Sequence, residues 1–349
     1  MNQNASKRIF FWDNFKGILI FLVVFAHWFI NVNQGVICTI VDAIYMFHMP
    51  AFVFISGYFG KSAHSRSFES ILRLLAAYIL FNGLSSIFFG RYSFLTPFAI
   101  YWYIIALIVW RLSAVWLAKL KYCLPILTII AILIGYSNEI NNTLAFSRIV
   151  SFAPYYMAGY LLPCGVAQNV MIKKSTRIVM VGLVAITLAI FIGTISYNTI
   201  GFVRGDLLMR PYQSPTIGGL RRICLVIVSV LSIYSFGVII PNRKIPLLSH
   251  FGRHSISIYL FHVVYLYLNR YININNELLL LMFGCVVSMA TCVIFSLPLF
   301  TRLTSELLSA GARVLKGNSD SNRYTLVVRT IFCAIALIFL LHQPILLIF

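Results

Sequence analysis

Long apolar blocks separated by short polar gaps run the length of this chain. The blocks lie at roughly 17–33, 37–60, 71–89, 97–117, 122–137, 146–163, 177–197, 220–240, 254–271, 278–300 and 329–349. Most approach the roughly 20 apolar residues that carry a helix across a bilayer; the fifth is short and the last the weakest. The pattern predicts an all-α fold, a polytopic transmembrane helical bundle of about ten to eleven spans. Polar residues collect between 304 and 328, among them Gly317, Asn318, Ser319 and Asp320, and read as a cytoplasmic connector before a last span. No internal repeat stands out, so residues 1–349 read as a single membrane domain.

The polar gaps add an orientation. Gaps rich in Lys and Arg are the N-terminus (Lys7, Arg8), Lys61/Arg66/Arg73, Lys119/Lys121, Lys173/Lys174/Arg177, Arg243/Lys244/Arg253 and the stretch from Arg302 to Arg329. The intervening gaps hold few basic residues, and this alternation predicts a cytoplasmic N-terminus. The exception is the gap from Asn198 to Gly219, which carries Arg204, Asp206 and Arg210 and is followed by Arg221 and Arg222. The first block follows charged residues and has no small-residue cleavage site after it, so it reads as a span rather than a signal peptide.

Composition narrows the class. Sixty per cent of the 349 residues are hydrophobic and 10% charged, and the mean hydropathy is +0.91. A soluble domain is about half apolar and about a quarter charged. A cytosolic enzyme, a secreted disulfide scaffold and a disordered tail are excluded, leaving a multi-pass protein of the cell membrane. Lys and Arg total 27 against 8 Asp and Glu. In a soluble protein that excess points to nucleic acid; here it sits mostly in the gaps, so the expected partner is the lipid bilayer and no nucleic acid. The seven cysteines are scattered without a CxxC pair, so neither a disulfide framework nor a metal site is expected.

Ionisable groups inside the blocks are costly and invite a function. His27 lies about 15 Å into the first span, and His48 lies at nearly the same depth on the second, antiparallel one. Two imidazoles at matched depth suit proton acceptance near neutral pH; hydrogen bonding to neighbouring helices is the alternative. Asp13 and Lys16 stand at the cytoplasmic mouth of the His27 helix. Spacing alone leaves Lys16 as a snorkelling cation and Asp13 as a first-turn carboxylate. Arg111 falls within the fourth block, near its cytoplasmic end.

The N-terminal third resembles a known family. The run Trp12-Asp13-Asn14-Phe15-Lys16-Gly17-Ile18, ending in Ala26-His27, resembles the first helix of the membrane acyltransferase-3 family, in particular its fucose 4-O-acetylase-like branch. The family signature is a basic residue, ten positions, then His; Lys16 and His27 keep that spacing, with Lys where much of the family has Arg. The run from Tyr45 through His48 to Ser56-Gly57-Tyr58-Phe59 resembles the second-helix block. Tyr101-Trp102-Tyr103, Met157-Ala158-Gly159-Tyr160 and Gly252-Arg253 through Tyr259-Leu260-Phe261-His262 resemble later blocks, in family order.

The resemblance implies an integral membrane O-acyltransferase that moves acetyl from cytoplasmic acetyl-CoA to a hydroxyl of a cell-envelope or exopolysaccharide sugar, with no metal. Lys16, oriented by Asp13, would contact coenzyme A. His27 would be the catalytic histidine, as general base or transient acetyl carrier, and His48 a second catalytic or positioning group. Trp102, Tyr103, Arg148 and His262 are weaker candidates on the acceptor side, His262 being more readily structural. Arg204, Arg210, Arg221 and Arg222 are candidates for an anionic acceptor, with juxtamembrane anchoring as the stronger alternative. The competing function is a multi-span transporter or flippase of a lipid-linked or small polar substrate. It predicts broken helices in paired halves, and no such pairing is visible.

Overall fold

In the computed structural model the described residues are 9–32, 35–90, 95–137, 143–165, 215–264, 274–317 and 322–342, with Val179, Gly182 and Ile272. They form helices and connecting turns, with no strand among them. In chain order the helices are α1 (Phe10–Trp28), α2 (Gly35–Gly60), α3 (Phe68–Ala77), α4 (Gly83–Phe88), α5 (Trp102–Leu117), α6 (Cys123–Leu133) and α7 (Phe146–Leu161). Then come α8 (Pro215–Ile239), α9 (Pro246–Arg253), α10 (Ser255–Phe261), α11 (Glu277–Phe295), α12 (Pro298–Leu315) and α13 (Arg323–His342). A π-helical stretch, Tyr78–Asn82, joins α3 to α4 into one run.

Six helices among the described residues are long and apolar enough to cross a membrane: Phe10–Trp28, Gly35–Gly60, Phe68–Phe88, Ala99–Leu117, Gly218–Ile239 and Glu277–Phe295. The expected 122–137 block is a shorter apolar helix, Cys123–Tyr136 including a final 3-10 turn. The 146–163 block forms α7, 16 residues with Pro154 inside. The 177–197 block apart from Val179 and Gly182, the Asn198–Gly219 gap with Arg204 and Arg210 (apart from its last residues, 215–219, which begin α8), and the end of the 254–271 block lie outside the described residues. The polar stretch from 304 is helical as far as Leu315, and the last helix begins at Arg323 rather than 329. Small residues explain this: Ala310, Gly311 and Ala312 are buried in α12, and a Cβ on Gly311 would strike Ala76 of α3. On α11 only 22% of the apolar window is buried. Leu278, Met282 and Val286 point outward, which fits a lipid-facing helix.

The chain divides into two compact units. The first comprises Met1–Ile55, Leu162–Leu207 and Ser214–Leu297; the second comprises Ser56–Leu161, Leu208–Gln213 and Pro298–Phe349.

In the first unit α1 is gripped by α9. A Cβ on Gly17 would strike the backbone carbonyl of Leu248, and one on Gly252 would strike that of Asp13. Such glycine contacts let helix backbones approach where lipid provides no hydrophobic drive. The helix start is capped from a distance: Asn242 Oδ1 accepts from the Phe11 N–H at 3.1 Å. The fully buried Asn14 donates to the carbonyls of Pro241 (3.0 Å) and Arg243 (2.8 Å) and accepts from Ser249 Oγ (2.6 Å). Pro50 stands inside α2, and a proline leaves the carbonyl four residues earlier without its helical donor. That carbonyl belongs to Met46, and Ser229 Oγ on α8 donates to it at 2.6 Å.

In the second unit α3 packs on α5 and α12, and α12 on α13. Lys316 pairs with Glu69 at its edge, where Glu69 also meets Arg73 at 3.3 Å.

Candidate active site

Lys16 and His27 are eleven residues apart on α1, three helical turns, so both lie on one face about 16 Å apart along the axis. Lys16 is half-buried and reaches Asp13 Oδ1 at 3.5 Å, one turn earlier. Asp13 is buried beside the α9 contact. The glycine grip and Asn14 hydrogen bonds thus fix the end of α1 that carries the cation.

At the other end of α1 an imidazole cluster forms. His27 Nδ1 meets His262 Nε2 at 3.0 Å. The two rings lie within 14° of parallel and their centroids are 5.2 Å apart. That separation is nearly a ring wider than the N···N contact, so the rings meet edge to edge in about the same plane. His262 closes α10, and its Nδ1 contacts the carbonyls of Tyr259 (2.8 Å) and Ile258 (3.2 Å). His48 on α2 joins through Tyr45. The Tyr45 ring lies edge-on to His48 at 4.9 Å and to His27 at 6.1 Å. His48 Nδ1 donates to the Ile44 carbonyl at 2.7 Å, and its buried Nε2 has no hydrogen-bond partner among the described residues.

Exposure separates the three. His48 and His262 are wholly buried, at 0% each. His27 alone of the three is half-buried, with its surface partly open. The surroundings are apolar: Val23, Val24, Ile44, Phe251, Ile258 and Cys292 belong to the same core. An apolar wall around a few polar groups is the usual make-up of a small-molecule site. No group of three or more His, Cys, Asp or Glu suited to a metal occurs among the described residues.

The remaining candidates occupy the second unit. Arg148 lies over the Trp102 ring at 5.3 Å, while Phe152 packs against that ring at 5.2 Å. Tyr103 Oη shares a hydrogen bond with Ser56 Oγ, from the block at the end of α2. Arg222 on α8, in the first unit, is 1% exposed, so it is an interior residue rather than the surface anchor expected. Arg221, beside it, is half-buried.

Two features escaped the reading of spacing. Tyr45 stands three residues before His48, one helical turn away, which is the signal that could have found it. The second is a cationic cluster in the second unit. Arg111 Nη1 donates to the Ser65 carbonyl (2.9 Å) and to Ser70 Oγ (2.8 Å). Arg66 donates to Tyr160 Oη (3.2 Å) and the Lys61 carbonyl (3.1 Å). Tyr156, fully buried, interacts electrostatically with both guanidinium groups. No nearby sequence pattern links positions 66, 111 and 156.

No curated protein and no solved structure matches this chain. Residues 9–297 match the family profile described as acyltransferase domain. That region takes in Lys16, His27, His48 and His262 together with the helices that position them, and it covers most of the sequence. The chain belongs to the acyltransferase-3 family of membrane acyltransferases.

Proposed function

We propose that this protein is an O-acetyltransferase of the cell membrane. It moves the acetyl group of cytoplasmic acetyl-CoA to a hydroxyl of a cell-envelope or exopolysaccharide sugar. The observation that carries the reading is the state of His27: an imidazole held at Nδ1 by a buried partner and partly exposed, on the helix face that also carries Lys16. The carbohydrate acceptor follows from the resemblance to the fucose 4-O-acetylase-like branch. Family membership favours group transfer over a transporter.

In this mechanism His27 Nε2 takes the proton of the sugar hydroxyl as its oxygen attacks the thioester carbonyl. The carbon–sulfur bond breaks, and the thiolate leaving as coenzyme A recovers the proton from the imidazolium. A hydroxyl loses its proton only at high pH, so a positioned base is worth about 10²–10⁴-fold in rate. Lys16, neutralised in the resting state by Asp13, presents its ammonium to the donor's phosphates; cytoplasmic placement of the N-terminus puts it on the side where coenzyme A resides. Tyr45 packs edge-on against both His27 and His48 and holds the two imidazoles in one neighbourhood.

The test is transfer of radiolabelled acetyl from acetyl-CoA by membranes containing the protein, with the envelope carbohydrate fractionated afterwards. Label accumulating in one carbohydrate fraction, and absent from membranes lacking the protein, is the expected result. Equal labelling of both membranes would overturn the proposal.

A further inference from the structure

The hydrogen bonds around His262 determine which nitrogen of His27 is the base. A carbonyl oxygen only accepts, so the contacts of His262 Nδ1 with Tyr259 and Ile258 (2.8 and 3.2 Å) require a proton on that nitrogen. With the ring neutral, His262 Nε2 is left with a lone pair. That lone pair faces His27 Nδ1 at 3.0 Å, so His27 Nδ1 must carry the N–H. The lone pair of His27 then sits on Nε2, the nitrogen for which no described residue supplies a hydrogen bond. The constraint passes from helix-end carbonyls, through a fully buried imidazole, to the partly exposed imidazole of the three.

We propose that His262 is a positioning residue that locks His27 into the Nδ1–H tautomer and thereby aims a basic Nε2 at the acceptor hydroxyl. The inference rests on the reading of His27 as general base. The in-plane meeting of the rings suits this role, because both the N–H and the lone pair of an imidazole lie in the ring plane. When Nε2 takes the hydroxyl proton, the O–H bond breaks and the Nε2–H bond forms. The Nδ1 proton stays on His27, and its hydrogen bond to His262 Nε2 strengthens, since a charged donor makes the stronger hydrogen bond. His262 neither gains nor loses a proton. It does with a neutral ring what a buried carboxylate does behind the histidine of a hydrolase triad: it fixes the tautomer and steadies the imidazolium.

Two readouts test this, one independent of turnover. The first is solid-state nitrogen NMR of the full-length protein in bilayers, with ring-labelled histidine assigned through a His27→Gln control. It should show His27 protonated at Nδ1 and bare at Nε2 in the parent. In His262→Leu that preference should be lost, and in His262→Gln, whose carbonyl oxygen can accept in place of Nε2, it should persist. The second is acetyl transfer from labelled acetyl-CoA in membranes. His262→Leu should lower kcat by roughly tenfold or more with KM for acetyl-CoA unchanged, and His262→Gln should recover a large part of it. A His27 bare at Nδ1 in the parent overturns the proposal, as does a parental kcat in a well-inserted His262→Leu. If the parent shows the expected tautomer but transfers no acetyl, the acetyltransferase reading falls and the tautomer assignment stands.

Discussion

The histidine cluster of the first unit and the arginine cluster of the second are both ionisable groups within apolar helices, yet they offer opposite chemistry. The histidines are joined in a line, His262 to His27 directly and His48 through Tyr45. What that line leaves over is a lone pair on a partly open ring. Arg111 and Arg66 can only donate. Their hydrogen bonds go to Ser65, Ser70, Tyr160 and Lys61. What they leave over are buried N–H groups, the Nε of each, beside the buried Tyr156 hydroxyl. An ionisable group in a membrane span is by default a functional candidate. Under the proposed function the unused atom makes the difference: a spare lone pair can serve as a base, whereas guanidinium groups, bonded to carbonyls and hydroxyls and left with N–H groups alone, cannot.

The sharpest break of that contrast is His27→Gln. An amide keeps a hydrogen bond to His262 but is no base near neutral pH, so acetyl transfer should fall by about 10²–10⁴-fold while membrane insertion is kept. Robust transfer by the variant would reduce the histidine line to interhelical hydrogen bonding and erase the contrast. Arg111→Met tests the other side. It removes the two hydrogen bonds to Ser65 and Ser70, and resistance to denaturant in detergent should drop by on the order of 3 kcal/mol. Transfer per folded molecule should stay within about twofold; a large loss of kcat without a loss of stability would make Arg111 part of the chemistry.

Gly252→Ala sharpens the comparison within the first unit. Its methyl would meet the Asp13 carbonyl, backbone that cannot swing aside as a flexible side chain does, so stability should fall by about 2 kcal/mol. Thermal unfolding of the solubilised protein reads this, and an unchanged midpoint would mean that α1 and α9 separate at little cost. The smallest effect belongs to Lys16. Lys16→Ala should raise KM for acetyl-CoA by roughly tenfold, as loss of one charge-assisted contact predicts, and Lys16→Arg should match the parent. Identical KM values in all three would return Lys16 to a snorkelling role.

The apolar blocks anticipated the helices best where a block was long and uninterrupted. The blocks at 17–33, 37–60, 71–89, 97–117, 220–240 and 278–300 correspond to the six candidate spans, offset by several residues at some ends. The offsets have local causes. The first helix starts at Phe10 because Asn242 and Asn14 secure its polar first turns against the segment before α9. The stretch from 304 looked like a loop because it is polar and holds Gly311, and yet it is a helix. A small-residue face packing on Ala76 leaves little hydrophobic signal for periodicity to register.

At the site, the Lys16–His27 spacing was legible because both residues lie on one helix, where sequence distance converts directly into geometry. The neighbourhood of His27 and His48 was legible in part, as depth; the Tyr45 ring between them was not.

The sequence by itself determined the medium, the helical class, the family resemblance and the shared face of Lys16 and His27. The medium, the helical class and the shared face follow from composition or from periodicity within a single segment, and the resemblance from short motifs in chain order. Only the tertiary structure decided that His262, 235 residues further on, is the partner of His27, and that His27 rather than His48 keeps open surface. The physical reason is that a hydrogen bond between helices depends on which faces pack together. Among glycines such as Gly17 and Gly252 that packing is set by backbone fit, which leaves no pattern along the chain.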